Sequence, residues 1–551
     1  MRELVITSLF ITLTVCLFGQ GAKEEKKVPT TYDRSSLTVL FVDNQTENHW
    51  REAREKISKI VFSDKYNNNN LETLFLSPNT ASKVPGDAQN EIANNLKNLR
   101  VAKKVVAKWY NRKPDGTMDM GMVHERGRFT ATDADFLLAQ TSKRGNAALE
   151  EFGNRLINLS YILVLDLQSI KTMAEAGVDK TKGWQANVKG YLYKVNFNDE
   201  VKFAFYDTWI YDDDTEEVKE QKRKAFDALD IPIEPVLQKS LTITSSQPES
   251  DTGLGLLFKP KSTEQLLEEL LQKSYDETVY RIEMDVEEFK VKTAVYQTRP
   301  LRAKIGLKEG LQTDTRFFVY EYVYNEKTNK AEPKRRGVIR AASKSKITDN
   351  RKVAAGDMGT SQFYQVHGRK LDQGFILQQQ NDLGFEVSLG AELGEIGGGY
   401  GRVDIRLGRL IGIRSLFIYL EGGFDAGDYP SAIDYSLLGE ESFTFLRIGG
   451  GIAKGMQLTR NLELRPYFGA GVEMASNDKN TEDNAPSAIY IKPGVNLALN
   501  LKHNFQLIGG MGVYAFVSDA ESENAGVIGP WDSVFQDRTG PSAFIGIKFG
   551  F

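Results

Sequence analysis

Cysteine is almost missing from this chain: there is one, Cys16, in 551 residues. A single thiol cannot build a disulfide framework or a thiolate zinc site. Histidine is nearly as scarce. His49, His124, His367 and His503 are isolated from one another, so no spacing suits a histidine metal centre. Enzyme signatures are missing as well: no HExxH, no G-x-S-x-G and no Walker A lysine. "IGGGIAKGM" resembles a phosphate loop only superficially and lies inside an alternating, strand-like segment. The sequence therefore predicts no cofactor, no metal and no catalytic residues. After the first twenty or so residues there is also no long apolar run. Any later membrane-spanning part must then be a closed β-barrel, the other structure that satisfies every backbone group in lipid.

The one apolar run is N-terminal. "MRELVITSLFITLTVCLFGQGAKEEKK" places Arg2 before an apolar stretch from Leu4 to Phe18, followed by Gly19, Gln20 and Gly21. This predicts a signal peptide over 1–21, cleaved after Gly21. The run is shorter than the roughly 20 residues of a spanning helix. The alternative is a lipoprotein signal with Cys16 lipidated, although Val15 is large for the position before such a cysteine. Either reading exports the protein.

From residue 382 onward glycine rises and apolar residues alternate with polar ones. In "DLGFEVSLGAELG", Leu383, Phe385, Val387, Leu389 and Leu393 oppose Asp382, Glu386, Ser388 and Glu392. "RVDIRL" sets Val403 and Ile405 against Arg402, Asp404 and Arg406. The same period of two runs through segments carrying Glu421, Arg447, Glu463 with Arg465 and Glu473, and Lys492, and through the terminal "PSAFIGIKFGF", where Lys548 opposes Ile545, Ile547, Phe549 and Phe551. Eight such segments are each about the length of a tilted membrane strand. Connections after strands 2, 4 and 6 are tight, and those after 3, 5 and 7 are long and polar. An even strand number with short and long loops at opposite ends is the outer-membrane arrangement.

On these residues, 382–551 resembles the small eight-stranded OmpA/OmpX-type outer-membrane barrels. The resemblance implies an outer-membrane location and contact with outer-membrane lipid. It also implies that a C-terminal strand with Phe549 and Phe551 is read by the barrel-insertion machinery. A soluble lipocalin-like barrel would instead turn its apolar face inward.

The remainder predicts a mixed region. Residues 22–240 read as a periplasmic α/β or α+β domain: a strand at "SSLTVLFVDN", helices at "NEIANNLKNLRVAKKVVAKWYN" and "NAALEEFGNRLINL", and a strand at "SYILVLDLQSI". Two further strands, "WQANVKGYLYKVNF" and "EVKFAFYDTWIY", and a helix follow. The order of elements is loosely similar to periplasmic α/β domains of curli-secretion and TolB type. Residues 241–285 read as a linker, "LTITSSQPESDTGLG", and a helix opened by a capping box, Ser262 to Gln265. Residues 286–381 read as a small β-rich module. The fold class is thus multidomain: an α/β domain, a small β module and an eight-stranded antiparallel transmembrane barrel.

Two charge patterns are candidates for function. Inward-facing barrel positions carry six acids (Glu386, Glu392, Asp404, Glu421, Glu463, Glu473) and six bases (Arg402, Arg406, Arg447, Arg465, Lys492, Lys548). A barrel of eight strands holds little beyond its own side chains, so these predict a salt-bridged plug. Polar outer loops, with Asp425, Asp428 and Trp531, read most simply as solvated tips. The stretch Phe289 to Lys370 has 19 Lys/Arg and 7 Asp/Glu, +12 in a chain of net −4. Its densest part is a basic hairpin with Lys330, Lys334, Arg335, Arg336, Arg340, Lys344 and Lys346, suited to anionic lipid headgroups, an anionic envelope component or a periplasmic protein, or simply to solvent. Nucleic acid is not expected in that compartment.

The sequence therefore predicts a non-enzymatic outer-membrane anchor or scaffold with an envelope-assembly role, its N-terminal region in the periplasm. The alternatives are a small-solute channel or secretion accessory, and an enzyme with an unrecognised N-terminal site.

Overall fold

The computed structural model describes residues 34–69, 71, 75–77, 88–130, 145–249, 260–327, 330–351, 359–394, 396–430, 440–476, 487–520, 531, 535 and 538–550. Gly21, Cys16 and Phe551, with the expectations attached to them, lie outside the described residues.

The first domain is a three-layer α/β/α sandwich. Its strands are β1 (Ser36–Val42), β2 (Asn67–Asn68), β3 (Phe75–Leu76), β4 (Ser160–Thr172), β5 (Thr181–Val195) and β6 (Ile233–Pro248), in sheet order β2-β1-β4-β5-β6 with β3 also on β1. β1 runs parallel to β2, β3 and β4, while β4-β5-β6 is an antiparallel meander. Helices α1 (Trp50–Ile57), α2 (Ala88–Asn98), α3 (Val101–Trp109), α4 (Gly121–Thr130), α5 (Gly145–Asn158), α6 (Asp199–Tyr206), α7 (Glu216–Ala228) and α8 (Thr263–Asp285) cover it. β1 is buried at every position, as a parallel strand covered on both faces must be. Leu37, Val39 and Phe41 face α1 and α8. Leu40 and Val42 face a second core with Val105, Trp109, Leu156 and Phe205.

Two expectations are corrected here. "EVKFAFYDTWIY" alternates like a strand, but Asp199–Tyr206 is a helix. The Asn198 side chain caps it by accepting from the Val201 N–H, and Phe205 reaches the core through helical spacing. Over the described parts of 241–285, the expected linker and helix are instead built into the first domain. Residues 241–248 complete β6, whose Ser and Thr side chains alternate between solvent and the face under α8. α8 buries Leu266, Leu267, Leu270, Leu271 and Tyr275 on that sheet. Its N-terminus is fixed by the capping box: the Ser262 N–H donates to Gln265 Oε1 at 2.9 Å and the Gln265 N–H donates to Ser262 Oγ at 3.1 Å. The first domain therefore continues to Phe289, whose ring packs edge-on against Tyr66 and Tyr161.

The second unit is a small closed barrel of six strands: β7 (Lys292–Thr298), β8 (Leu301–Ala303), β9 (Arg316–Asn325), β10 (Lys330–Ala341), β11 (Ser361–Gly368) and β12 (Ile376–Gln380), in order β10-β11-β8-β7-β12-β9. Val295, Phe317, Val319, Ile339, Phe363 and Leu377 fill it.

The third unit is a larger closed antiparallel barrel. Its eight long strands are β13 (Phe385–Gly394), β14 (Gly398–Arg406), β15 (Leu416–Pro430), β16 (Glu440–Lys454), β18 (Leu462–Ser476), β19 (Ser487–Asn500), β20 (Phe505–Ala520) and β21 (Gly540–Gly550), with short β17 (Met456–Gln457) beside β18. β13 pairs with β21 and β16 with β18, closing the ring. The one-turn helix α9 (Gly408–Ile411) forms the β14–β15 connection. The barrel begins three residues later than the sequence boundary: Asp382 precedes β13 and belongs to the junction described below.

Candidate functional site

The wall of the larger barrel is apolar outside and charged inside. Leu420, Phe424, Ile448, Ile452 and Phe468 point outward and are 53–65% exposed. Such residues recur on every long strand, far more than a water-facing surface carries. The inward row is buried: Glu386, Glu392, Arg402, Asp404, Glu421, Arg447, Glu463, Arg465, Glu473, Lys492 and Lys548 are all at most 7% exposed. A lipocalin-like arrangement would reverse these faces.

The inward charges form a ladder along the lumen. At the short-turn end, Glu386 pairs with Arg406 at 2.7 Å, Arg465 at 2.8 Å and Lys548 at 3.4 Å. Arg465 continues to Glu463 at 2.6 Å and Asp404 at 3.6 Å, and Asp404 to Arg402 at 2.7 Å. The Arg402 guanidinium lies 3.5 Å over the Tyr419 ring. Midway, Lys492 bridges Glu392 at 2.8 Å and Glu421 at 3.4 Å. The Tyr400 hydroxyl donates to Glu421, and that of Tyr514 to Glu392. Arg447 then joins Glu392, Asp425 and Glu473 at 3.2, 2.9 and 3.5 Å. All twelve inward charges named from the sequence belong to this ladder.

One further pair is not legible as part of it from sequence. Asp425 and Arg538 fall in or beside long polar connections, yet Arg538 is 2% exposed, ion-paired to Glu473 and 3.0 Å from Asp425. Among the described residues the lumen thus holds seven acids and seven bases. Buried charges are costly unless paired and hydrogen-bonded, and a neutral ladder satisfies that condition along the barrel. Above it, Phe443, Phe445, Trp531 and Phe535 form a buried aromatic cluster with Tyr429 and Phe516 packed against it. Trp531 and Phe535, from the β20–β21 connection, are buried at this end, and Trp531 is not the solvated tip residue expected.

At the opposite end, the six-stranded barrel grips the short turns. Asp314, fully buried, accepts from the Ser415 N–H at 2.8 Å and from the Tyr364 hydroxyl at 2.6 Å, and lies 3.5 Å from Arg406. The ladder therefore continues into the small barrel. The Gly368 N–H donates to Asn461 Oδ1 at 2.8 Å, and Asn500 Nδ2 donates to the Val366 carbonyl at 2.9 Å. The Lys344 N–H donates to the Gly412 carbonyl at 2.9 Å. All three short turns are held in this way.

The segment joining the two barrels is fixed by Asp382. It pairs with Arg340, with Arg409 at 3.8 Å and with Arg316 at 3.9 Å. Burial alone would raise its carboxyl, but the Arg340 and Arg316 charges hold it well below the usual range. The α8 hydroxyl of Tyr280 donates to the Asp382 carbonyl at 2.5 Å, tying in the first domain. Burial lowers Arg316 to about 10. His503, packed edge-on to Phe318, is pushed down to about 4 by burial and by Arg335 and Arg316.

The basic stretch read as one hairpin is split by this junction. Arg340 is buried in the Asp382 pair and Arg336 pairs with Glu321. The Arg335 guanidinium lies 4.8 Å over Phe318. Lys334, Lys344 and Lys346 are exposed, and the side chain of Lys330 lies outside the described residues. Phe549 packs its ring 5.3 Å from Phe505 on the outer wall.

These features define a class: a closed, eight-stranded transmembrane β-barrel with two folded units on its N-terminal side. Known structures similar to part of the chain cover about 30% of it. They include a major outer membrane protein from Thermus thermophilus (17% identity, TM-score 0.23, 30% of this chain and 98% of that one). Neisserial surface protein A has 13% identity and a TM-score of 0.22, covering 31% of this chain and all of that one. The N-terminal β-barrel domain of Pseudomonas aeruginosa OprF has 14% identity and a TM-score of 0.18, covering 30% and 96%. No family model matches the chain, and no curated protein is similar to it.

Proposed function

We propose that this chain is an outer-membrane anchor that holds its α/β domain at the periplasmic face, with a scaffold or envelope-assembly role and no catalysis of its own. The observation that supports this reading most is the clamp. Asp314, Asp382 and the hydrogen bonds to all three short turns tie the small barrel to the lipid-embedded one. A rigid mount of this kind serves positioning, whereas a transport path would need the ladder and the clamp to open together. The paired ladder favours a barrel that conducts nothing.

Two measurements test the proposal. Full-length protein in planar bilayers should show no stable openings, and large sustained conductance would sink the sealed-anchor reading. A chain lacking 382–551 should be released as a soluble protein from cells. Its retention in the membrane fraction would mean that another part is the anchor.

A further inference from the structure

The β14–β15 turn carries an apolar patch that no part of the described chain covers. Leu410 is 84% exposed, Ile411 53% and Ile413 44%. The patch continues the outer belt, since Ile405 and Ile418 on the flanking strands are 46% and 44% exposed. Beside it are four cations. Lys344 and Lys346 lie on one turn of 3₁₀ helix in the small barrel and are exposed. Arg414 follows α9, its N–H donating to Ser343 Oγ at 3.2 Å. Lys454 donates to the Arg414 carbonyl.

The geometry brings Lys344 to the rim. Gly412 closes α9 in the left-handed conformation, φ 80°. A Cβ built on it would lie 3.0 Å from Cβ and 3.3 Å from Cδ of Lys344. The Lys344 stem therefore lies flat on the turn, with its ammonium beyond. Among the described residues neither lysine has an ion-pair partner. Asp314, which lies against Gly408 of the same turn, is fully buried and already shared by Ser415, Tyr364 and Arg406.

Exposed leucine and isoleucine beneath a row of cations match the boundary between acyl chains and headgroups. We infer that this rim binds the phosphate of an anionic phospholipid in the leaflet at the short-turn end. Lys344 and Lys346 supply the charge, and Leu410 and Ile411 enter the acyl region. The partner is thus an anionic lipid surface, contacted jointly by the small barrel and the membrane barrel. This rests on the membrane reading above.

The test uses the full chain with Leu410→Trp, reconstituted in phosphatidylcholine vesicles containing one-third phosphatidylglycerol. Bromine is placed on the chains of one lipid or the other, and quenching is taken as the difference from the unsubstituted protein. The expected result is stronger quenching by brominated phosphatidylglycerol, with a relative binding constant of about five or more. Adding Lys344→Gln and Lys346→Gln together should bring that preference down toward unity, a loss of about five-fold or more. The same changes at Lys219 and Lys224 on α7 should leave the preference intact. Equal quenching by both lipids, or a preference untouched by the double change, overturns the headgroup site while the membrane barrel stands. No quenching by either lipid means the turn is not at a bilayer, and the membrane reading fails with it.

Discussion

Gly408 of the large barrel and Asp314 of the small barrel are in direct apposition: any Cβ at Gly408 would overlap the Asp314 carboxylate. The carboxylate cannot withdraw, because the Ser415 N–H, the Tyr364 hydroxyl and Arg406 hold it. Gly408→Ala should therefore weaken docking by about 1–3 kcal/mol, the usual cost of overpacking. The chain should become sensitive to protease between 381 and 384, while the β-sheet circular dichroism of the barrel stays unchanged. An unchanged cleavage rate would mean that the two barrels are not held through this contact.

Glu386 is the acid on which three buried cations converge, Arg406, Arg465 and Lys548. Glu386→Gln leaves an excess buried positive charge. The expected loss is about 3–5 kcal/mol, read as a lower urea midpoint for the barrel in detergent micelles. Lys548→Met in the same chain removes one of the stranded charges and should recover part of the loss. Additive losses in the double variant would argue against a coupled ladder.

Much of this ladder was legible because a period of two is a local signal. Once Val403 and Ile405 face lipid, Arg402, Asp404 and Arg406 must face the lumen. Arg538 was not legible, since it sits in a long connection and its acids, Asp425 and Glu473, are distant in sequence. The clamp was hidden for the same reason. Asp314 looks like an ordinary loop acid, and Asp382 like the first polar residue of a barrel strand, until the short turns are brought against them. Local signals also misled where a cap or an edge decided the outcome. "EVKFAFY" alternates, but Asn198 starts a helix there. "LTITSSQ" has the composition of a linker, but as an edge strand it turns Thr242, Thr244 and Ser246 to water.

The junction should weaken on mild acidification. His503 titrates near 6.5 in an unfolded chain but near 4 here, held neutral by burial and by Arg335, Arg316, His367 and Lys502 around it. Its folded value lies below its unfolded one, so protonation favours the opened form as pH falls from about 6.5 toward 4. Above 6.5 the contribution is constant. Asp382 acts in a different window. Its carboxyl is depressed, so its stabilising contribution is complete above the ordinary carboxylate range and is lost progressively as the pH falls through that range and below it. Allowing for partial solvent access, His503 accounts for roughly 1–2 kcal/mol across its window. Protease sensitivity at 381–384 should rise from pH 7 to pH 4.5, and His503→Gln should flatten most of that rise. An identical pH profile in the variant would remove His503 from the account.

The opposite end should open without creating a pore. Phe535 is fully buried, with its ring 5.3 Å from those of Phe443 and Phe445 and 4.6 Å from that of Trp531. Arg538 anchors the same connection to Asp425 and Glu473. Phe535→Ala removes a buried aromatic side chain, typically worth about 3–5 kcal/mol in a core. Because the segment is a connection, that loss should appear as local opening and not as unfolding of the strands. Trp531 emission should shift to the red, measured against a Trp531→Phe chain, and protease should cut between 521 and 537. The ladder from Arg447 to Glu386 lies below this cluster and is untouched by the substitution, so the opened variant should still carry no stable current. Channel openings in Phe535→Ala would make the aromatic cluster, not the charge ladder, the seal of the barrel.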